Sequence, residues 1–103
     1  MILFKRLFGI KTTNFNQLLE DGAYIVDVRT PVEFNSGNIM GSKNIPLDNI
    51  KSKIKKIEKL NKVVIFCCAS GMRSGQATSL AKARGIESYN GGGWKSLNKK
   101  LNK

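Results

Sequence analysis

Two adjacent cysteines, Cys67 and Cys68, are the residues best suited to covalent chemistry, and they end the most strand-like stretch of the chain. The sequence contains no histidine, which excludes Ser-His-Asp triads, Cys-His dyads and histidine-based metal sites. Adjacent cysteines have neither the C-x-x-C spacing of redox pairs nor a usual metal-ligand spacing. We therefore expect a reducing compartment and at least one free thiol, activated without an imidazole base.

Residues 68–74, Cys-Ala-Ser-Gly-Met-Arg-Ser, offer a way to activate a thiol without a base. They lie between a predicted strand and a predicted helix, where open α/β sheets place their functional sites. A tight loop at a helix N-terminus points successive backbone N–H groups inward and stabilises an anion. We expect Gly71 to allow the sharp turn, and the N–H groups together with Arg73 to lower the pKa of Cys68.

Strand-like and helix-like segments alternate along the chain, which predicts parallel strands with helices on both faces of the sheet. Thr30-Pro31-Val32-Glu33 is typical of a helix start, with an N-cap, a proline and a capping-box glutamate. The strand-like segments are residues 10–12, 24–28, 44–46, 63–67 and 86–89. The helix-like segments are residues 14–21, a short one after Thr30 that Gly37 ends, 50–60, 74–84 and one that begins at Trp94.

Four motifs, in order over about residues 10–101, resemble those of rhodanese-like sulfurtransferases. The Cys-x-x-Gly-x-Arg-Ser loop resembles the family's active-site loop. Residues 27–34, Asp-Val-Arg-Thr-Pro-Val-Glu-Phe, resemble its Asp-Val-Arg…Glu-Phe/Tyr signature. Residues 37–46 contain Gly-Asn-Ile, a glycine and Asn-Ile-Pro, similar to its Gly-His-Ile stretch. Gly91-Gly92-Gly93-Trp94 is similar to its C-terminal glycine-rich turn and tryptophan.

The resemblance implies a three-layer α/β/α rhodanese-like fold, with about five mainly parallel strands, and a persulfide mechanism. The Cys68 thiolate would attack the outer sulfur of a small anionic donor, thiosulfate or a persulfide, and become a cysteine persulfide. A thiol, cyanide or an acceptor protein such as a thioredoxin-like protein would then remove the sulfur. No metal and no cofactor beyond the covalent persulfide is implied. Cys68 would be catalytic, and the donor-binding loop would consist of Ala69, Ser70, Gly71, Met72 and Arg73.

Two residues depart from the family's pattern. Asn38 replaces the usual histidine of the Gly-His-Ile stretch, and because we assign that position no catalytic role, the change concerns a local hydrogen bond. Met72 gives the loop less positive charge than a second lysine or arginine would. This argues against a strong preference for thiosulfate and is compatible with a persulfide or protein donor.

The residues leave two other functions open. Cys67 to Arg73 also fits the C-x5-R signature of cysteine phosphatases, including Cdc25-type phosphatases and arsenate reductases, in which case Cys67 is the nucleophile. Gly71 follows three residues after Cys68, which favours Cys68, and we expect Cys67 to pack in the core as a small apolar residue. The other alternative is a non-enzymatic module that carries sulfur or binds a partner protein.

Asp27, Arg29 and Glu33 are expected to have structural roles, because thiolate attack needs no carboxylate. Arg29 and Glu33 are four residues apart at a helix start and suit an ion pair, while Asp27 could hold the neighbouring loop. The three glycines before Trp94 predict a tight turn that lets the tryptophan cover the core. The alternative is that they line the mouth of the active site, because loops at strand ends face the site.

The chain of 103 residues carries a formal net charge of +11. Most of the excess lysine lies in residues 50–62 and in the C-terminal segment, between apolar residues at helical spacing. We therefore expect solvated helix faces and no nucleic-acid site. Residues 1–9 form an apolar and basic extension that would dock on the rhodanese-like domain of residues 10–103, mediate association or contact an anionic membrane weakly. No apolar run has the about 18 residues of a membrane span, and we expect a cytoplasmic location.

Overall fold

The alternating segments form four strands and five helices in the computed structural model, which describes residues 13–101. The strands are β1 (Tyr24–Asp27), β2 (Lys43–Asn44), β3 (Val64–Cys68) and β4 (Ser88–Gly93). The helices are α1 (Phe15–Glu20), α2 (Pro31–Asn35), α3 (Leu47–Leu60), α4 (Met72–Ala83) and α5 (Trp94–Leu101). None of these helices is long and apolar enough to cross a membrane.

The four strands form one sheet in the order β2-β1-β3-β4, and every pairing is parallel. β3 is central, and all five of its residues are buried, as its continuous run of apolar residues predicts. The expected parallel α/β sandwich is confirmed. The fifth predicted strand, residues 10–12, and the extension at residues 1–9 lie outside the described residues.

Helices cover both faces of the sheet and divide the core into two clusters. On one face α3 and α4 pack against alternate strand residues, and the cluster includes Ile50, Ile54, Ile57, Phe66, Cys68 and Ala77. On the other face α1 and α5 pack over Phe15, Ile25, Ile39, Ile65, Cys67 and Leu97. Because successive strand side chains point to opposite faces, the two adjacent cysteines belong to different clusters.

The local signals of the sequence largely set the helix starts. α2 begins with a complete capping box, in which the Thr30 side chain and the Glu33 carboxylate each accept a backbone N–H of the other residue. α3 begins three residues earlier than predicted, at Leu47, directly after Pro46. Its lysines are exposed while its isoleucines are buried. The expectation that these lysines form a solvated helix face is confirmed.

The three consecutive glycines do not form a tight turn, and that prediction is wrong. They are the last residues of β4, which pairs with β3 up to Cys68 and Gly93 across one register shift. Glycine is required because the neighbours are very close: a Cβ on Gly93 would lie 2.8 Å from the Ala69 carbonyl oxygen, and one on Gly91 would lie 2.9 Å from a Leu97 methyl. The glycines therefore let β4 approach the loop after β3.

Candidate active site

The end of β3 places the two cysteines in different surroundings. Cys67 and Cys68 are both free thiols and are 0% and 1% exposed. The Cys67 side chain lies in the cluster under α1 and α5, whereas that of Cys68 lies in the cluster under α3 and α4, at the N-terminus of α4. Only Cys68 therefore faces the loop that leads into α4.

Backbone N–H groups converge on the Cys68 sulfur. The Gly71 N–H donates to Sγ over 3.0 Å and the Ser74 N–H over 3.3 Å, and the Ser74 hydroxyl lies 3.4 Å away. Gly71 reaches this geometry with a φ of 104°, a value that residues with a side chain rarely adopt. We call residues 68–74 the cradle. Inward-pointing N–H groups are the loop geometry that the sequence predicts.

The pKa values of the two thiols shift in opposite directions. Burial raises the pKa of Cys68, but hydrogen bonds outweigh burial, among them those from the N–H groups of Ser74, Gly71 and Ser70, so the net pKa is lowered. Burial, and next the charge of Asp27, raise the pKa of Cys67 to about 12. Near neutral pH Cys67 is therefore a thiol, and Cys68 is the sulfur that the structure prepares for ionisation.

The other cradle residues surround the sulfur in different ways. Ala69 and Ser70 are exposed at the rim, and the Met72 side chain is 75% exposed. The Arg73 guanidinium binds the Glu33 carboxylate through two hydrogen bonds, of 2.8 and 3.0 Å. The Arg73 side chain therefore donates to α2 and not to the Cys68 sulfur. The groups within hydrogen-bond distance of the sulfur are backbone N–H groups and the Ser74 hydroxyl.

The expected ion pair between Arg29 and Glu33 does not form. Arg29 instead binds the Asp27 carboxylate, with an Nη2–Oδ2 distance of 2.7 Å, and both side chains are buried. It also donates to the carbonyl oxygens of Glu33 and Gly37 and lies 4.7 Å from the centre of the Trp94 ring. Arg29 supplies the counter-charge that the buried Asp27 carboxylate needs. The Glu33 carboxylate is partly exposed and pairs with Arg73 instead.

Comparison with known proteins agrees with this geometry. Residues 11–100 match the family model for the rhodanese-like domain. The chain belongs to the rhodanese-like family. The uncharacterized protein YqhL of Bacillus subtilis (strain 168) is 38% identical over 77% of this chain and 64% of its own length. The thiosulfate sulfurtransferase PspE of Escherichia coli (strain K12) is 32% identical over 70% of this chain and 71% of its own length.

A solved structure shows the same rhodanese-like fold. The structure of a rhodanese with anions from E. coli superposes with a TM-score of 0.65 and is 32% identical, covering 72% of this chain and 89% of that one. This chain spans less than two thirds of the length of YqhL, 64% of it. The residues that match the family model, 11–100, include the cradle.

Three side chains of this rhodanese-like domain contribute to the site in ways that we did not predict from the sequence. Ser74 contacts the sulfur, and Asn90 on β4 accepts the Ser74 hydroxyl over 2.6 Å. Asn44 donates to the carbonyl oxygens of Asp27 and Arg29 and so holds the end of β1. Ser74 and Asn44 stand within recognised motifs, but nothing in the local sequence indicates that Asn90 lies beside the cradle.

Asn38, which replaces the family's usual histidine, lies away from the sulfur's hydrogen bonds. Its side-chain amide donates to the Phe34 carbonyl oxygen over 2.8 Å. Asn38 therefore makes a local hydrogen bond at this exposed position.

Proposed function

We propose that this rhodanese-like protein is a sulfurtransferase that carries sulfane sulfur as a persulfide on Cys68. The observation that supports the proposal most strongly is the cradle: one thiol, at the end of the central strand, accepts N–H hydrogen bonds from Gly71 and Ser74. Such N–H groups favour sulfur as an anion. A sulfur anion is what attacks the donor and what remains bound as the persulfide.

The reaction would proceed in two half-reactions. In the first, the Cys68 thiolate attacks the outer sulfur of thiosulfate, a new S–S bond forms, and the old S–S bond breaks with its electron pair leaving on sulfite. In the second, an acceptor such as cyanide or a thiolate attacks the terminal sulfur, and the Cys68 thiolate leaves. No electron is taken from outside, and each step is a nucleophilic substitution at sulfur.

The terminal sulfur of the persulfide would occupy the open side of the cradle. Ala69, Ser70 and Met72 are exposed there, and the donor would approach the almost fully buried Cys68 from that side. N–H groups that already point inward stabilise the charge without rearranging. In this proposal Arg73 would contribute longer-range attraction for an anionic donor, reduced by its pairing with Glu33.

Intact-protein mass spectrometry after incubation with thiosulfate tests the reaction. We expect a gain of about 32 Da, one sulfur atom, on the native protein and on Cys67→Ser. Cyanide should remove it and release thiocyanate. Cys68→Ser should gain nothing. A gain that persists in Cys68→Ser and disappears in Cys67→Ser would transfer the chemistry to Cys67 and would revive the C-x5-R alternative.

A sulfur carrier that works with a protein donor is the second candidate, and the apolar rim of the site favours it. Met72 and Val32 are 75% and 80% exposed and are sequence neighbours of Arg73 and Glu33, which join the cradle to α2. An apolar rim suits contact with another protein better than capture of a free dianion. A cysteine desulfurase persulfide as donor separates the two candidates: the carrier should accept its sulfur yet turn over no thiosulfate.

A further inference from the structure

The side-chain amide of Asn90 joins three segments around the cradle. Its Nδ2 donates to the Gly71 carbonyl oxygen over 3.1 Å, and its Oδ1 accepts the Gly92 N–H over 2.9 Å and the Ser74 hydroxyl over 2.6 Å. These partners fix the orientation of the amide, because a flipped amide would set its NH₂ against the Gly92 N–H and its oxygen against the Gly71 carbonyl.

The Ser74 hydroxyl has one proton and two neighbours that compete for it. Asn90 Oδ1 lies 2.6 Å from Ser74 Oγ, and Cys68 Sγ lies 3.4 Å from it. Oδ1 is purely an acceptor, so the short contact requires Ser74 to donate to Asn90. Ser74 Oγ then presents only lone pairs to Cys68. Lone pairs can accept an S–H proton but do not stabilise a thiolate.

We propose that Asn90 is a positioning residue that holds the Ser74 hydroxyl proton away from the Cys68 sulfur, so that stabilisation of the thiolate rests on the backbone N–H groups of the cradle. The consequence for catalysis rests on the proposed sulfur transfer, in which Cys68 is first the nucleophile and then the leaving group. A more basic thiolate attacks better and leaves more slowly. Asn90 would therefore set the balance between the two half-reactions.

Other charges near the sulfur are largely compensated. Arg73 lies in the first turn of α4 beside Ser74, but its charge is paired with Glu33. At the end of β1, Asp27 and Arg29 pair with each other. On the opposite face of β3, Cys67 stays neutral, because its pKa is about 12. The lysines of α3, α4 and α5 are exposed: Lys51, Lys53, Lys55, Lys56, Lys59, Lys82, Lys95, Lys99 and Lys100. The direction in which the Ser74 hydroxyl proton points is therefore the feature near the sulfur that Asn90 controls.

A thiolate titration, followed by ultraviolet absorbance, tests the proposal with no sulfur transfer involved. Cys68→Ser serves as the blank, and Cys67 stays protonated in the range used because its pKa is about 12. We expect Ser74→Ala alone to shift the pKa of Cys68 by less than about 0.3 unit, and Asn90→Ala alone to lower it by about 1 unit, because the freed hydroxyl turns to the thiolate. In the Asn90→Ala background, Ser74→Ala should raise it again by about 1 unit.

Two outcomes would overturn the proposal. One is a rise of about 1 unit in the pKa of Cys68 for Ser74→Ala in the native background. The other is strict additivity of the two substitutions, since either would mean that Asn90 does not control the proton.

Asn90 is exposed, and thermal unfolding checks that its variants fold. Asn90→Asp is the matched variant: its carboxylate still accepts the proton and adds negative charge, so the pKa of Cys68 should rise, and a fall would contradict the proposal.

Failure here and failure of the proposed function are distinguishable. A protein that forms no persulfide can still show the coupling between Ser74 and Asn90 in its titration. A protein that forms the persulfide but shows no coupling would retain the sulfurtransferase function and lose the role of Asn90.

Discussion

Cys67 and Cys68 occupy opposite faces of the same strand end, and they differ in what surrounds the sulfur. Cys67 lies among the side chains of α1, α5 and β1, in a cluster with Phe15 and Leu97, where burial raises its pKa to about 12. Cys68 lies at the N-terminus of α4, where its pKa is lowered although its burial acts in the opposite direction.

The comparison shows that surface exposure does not distinguish the two thiols of this protein. The two residues are 0% and 1% exposed, so neither sulfur lies on the surface. The difference is the supply of hydrogen-bond donors: the Cys68 sulfur receives N–H groups of Gly71 and Ser74, because the chain turns into a helix immediately after it. Alternation along the strand and one sharp turn are enough to give the two sulfurs different surroundings.

Removing each sulfur in turn is the largest test of this contrast. Cys68→Ala should reduce thiosulfate:cyanide activity by about 10³-fold or more, because it removes the nucleophile. Cys67→Ala should leave activity within a few-fold and instead cost about 1 kcal/mol of unfolding free energy, for the small cavity it leaves. Steady-state thiocyanate production and urea unfolding measure the two effects. Equal loss of activity in both variants would contradict this contrast, because the two side chains point to opposite faces of β3.

The ion pair beside Cys67 is the next largest test, since we expect it to hold the fold and to have no part in the chemistry. Asp27 lies opposite Cys67 in the β1–β3 register, and its pair with Arg29 is buried. Asp27→Ala leaves the arginine charge unpaired and should lower the free energy of unfolding by about 3–5 kcal/mol. Glu58→Ala removes an exposed pair with Arg84 and should cost about 0–1 kcal/mol in the same urea titration. Comparable losses would show that burial of the first pair is not decisive.

Much of the site could be predicted from the sequence because its parts are local. The cradle is a contiguous segment, and its strand, glycine and helix start are each encoded by neighbouring residues. The capping box at Thr30 and Glu33 is equally local and forms as expected. The order of the elements also sufficed for a parallel sheet, because strands joined through helices pair in parallel.

The parts that could not be predicted depend on contacts between distant segments. Arg73 and Glu33 are 40 residues apart, and Asn90 follows Ser74 by 16; no periodicity indicates either contact. Because glycine is usual in turns, the sequence predicts a turn at the glycines of β4. Their actual role is to accommodate the Ala69 carbonyl and the Leu97 side chain, and that close approach exists only in the folded protein.

Those glycines provide a third test, because Gly93 lies beside the Cys68 face of the sheet and Gly91 lies beside the Cys67 face. A Cβ at Gly93 would lie 2.8 Å from the Ala69 carbonyl oxygen, beside the cradle, whereas one at Gly91 would contact Leu97 and Ile65 on the side of Cys67. Each alanine substitution should cost about 1–3 kcal/mol of stability through overpacking. Only Gly93→Ala should also reduce kcat, about tenfold, because a small displacement of the cradle misplaces its N–H groups. An equal fall in kcat for Gly91→Ala would mean that the two sides are mechanically coupled.

The smallest effect should come from Glu33, which offsets the charge of Arg73 beside Cys68. Glu33→Gln keeps the capping box, since glutamine serves there as well as glutamate, but leaves the arginine charge free to attract a dianion. We expect the KM for thiosulfate to fall about threefold with kcat little changed. Glu58→Gln, which removes an exposed ion pair with Arg84, is the matched control for lost surface charge.

The pH dependence of the Glu33 effect has a defined sign. Hydrogen bonds from Arg73 and Thr30 lower the pKa of Glu33 from 4.5 to about 2. The ion pair is therefore intact above pH 4.5 and is lost only as the pH falls through about 2, so the difference in KM between native protein and Glu33→Gln should be constant from about pH 5 to 8. A KM that rises in Glu33→Gln would reverse the interpretation: Glu33 would then hold Arg73 in its productive position, and the pair would belong to the binding site of the donor.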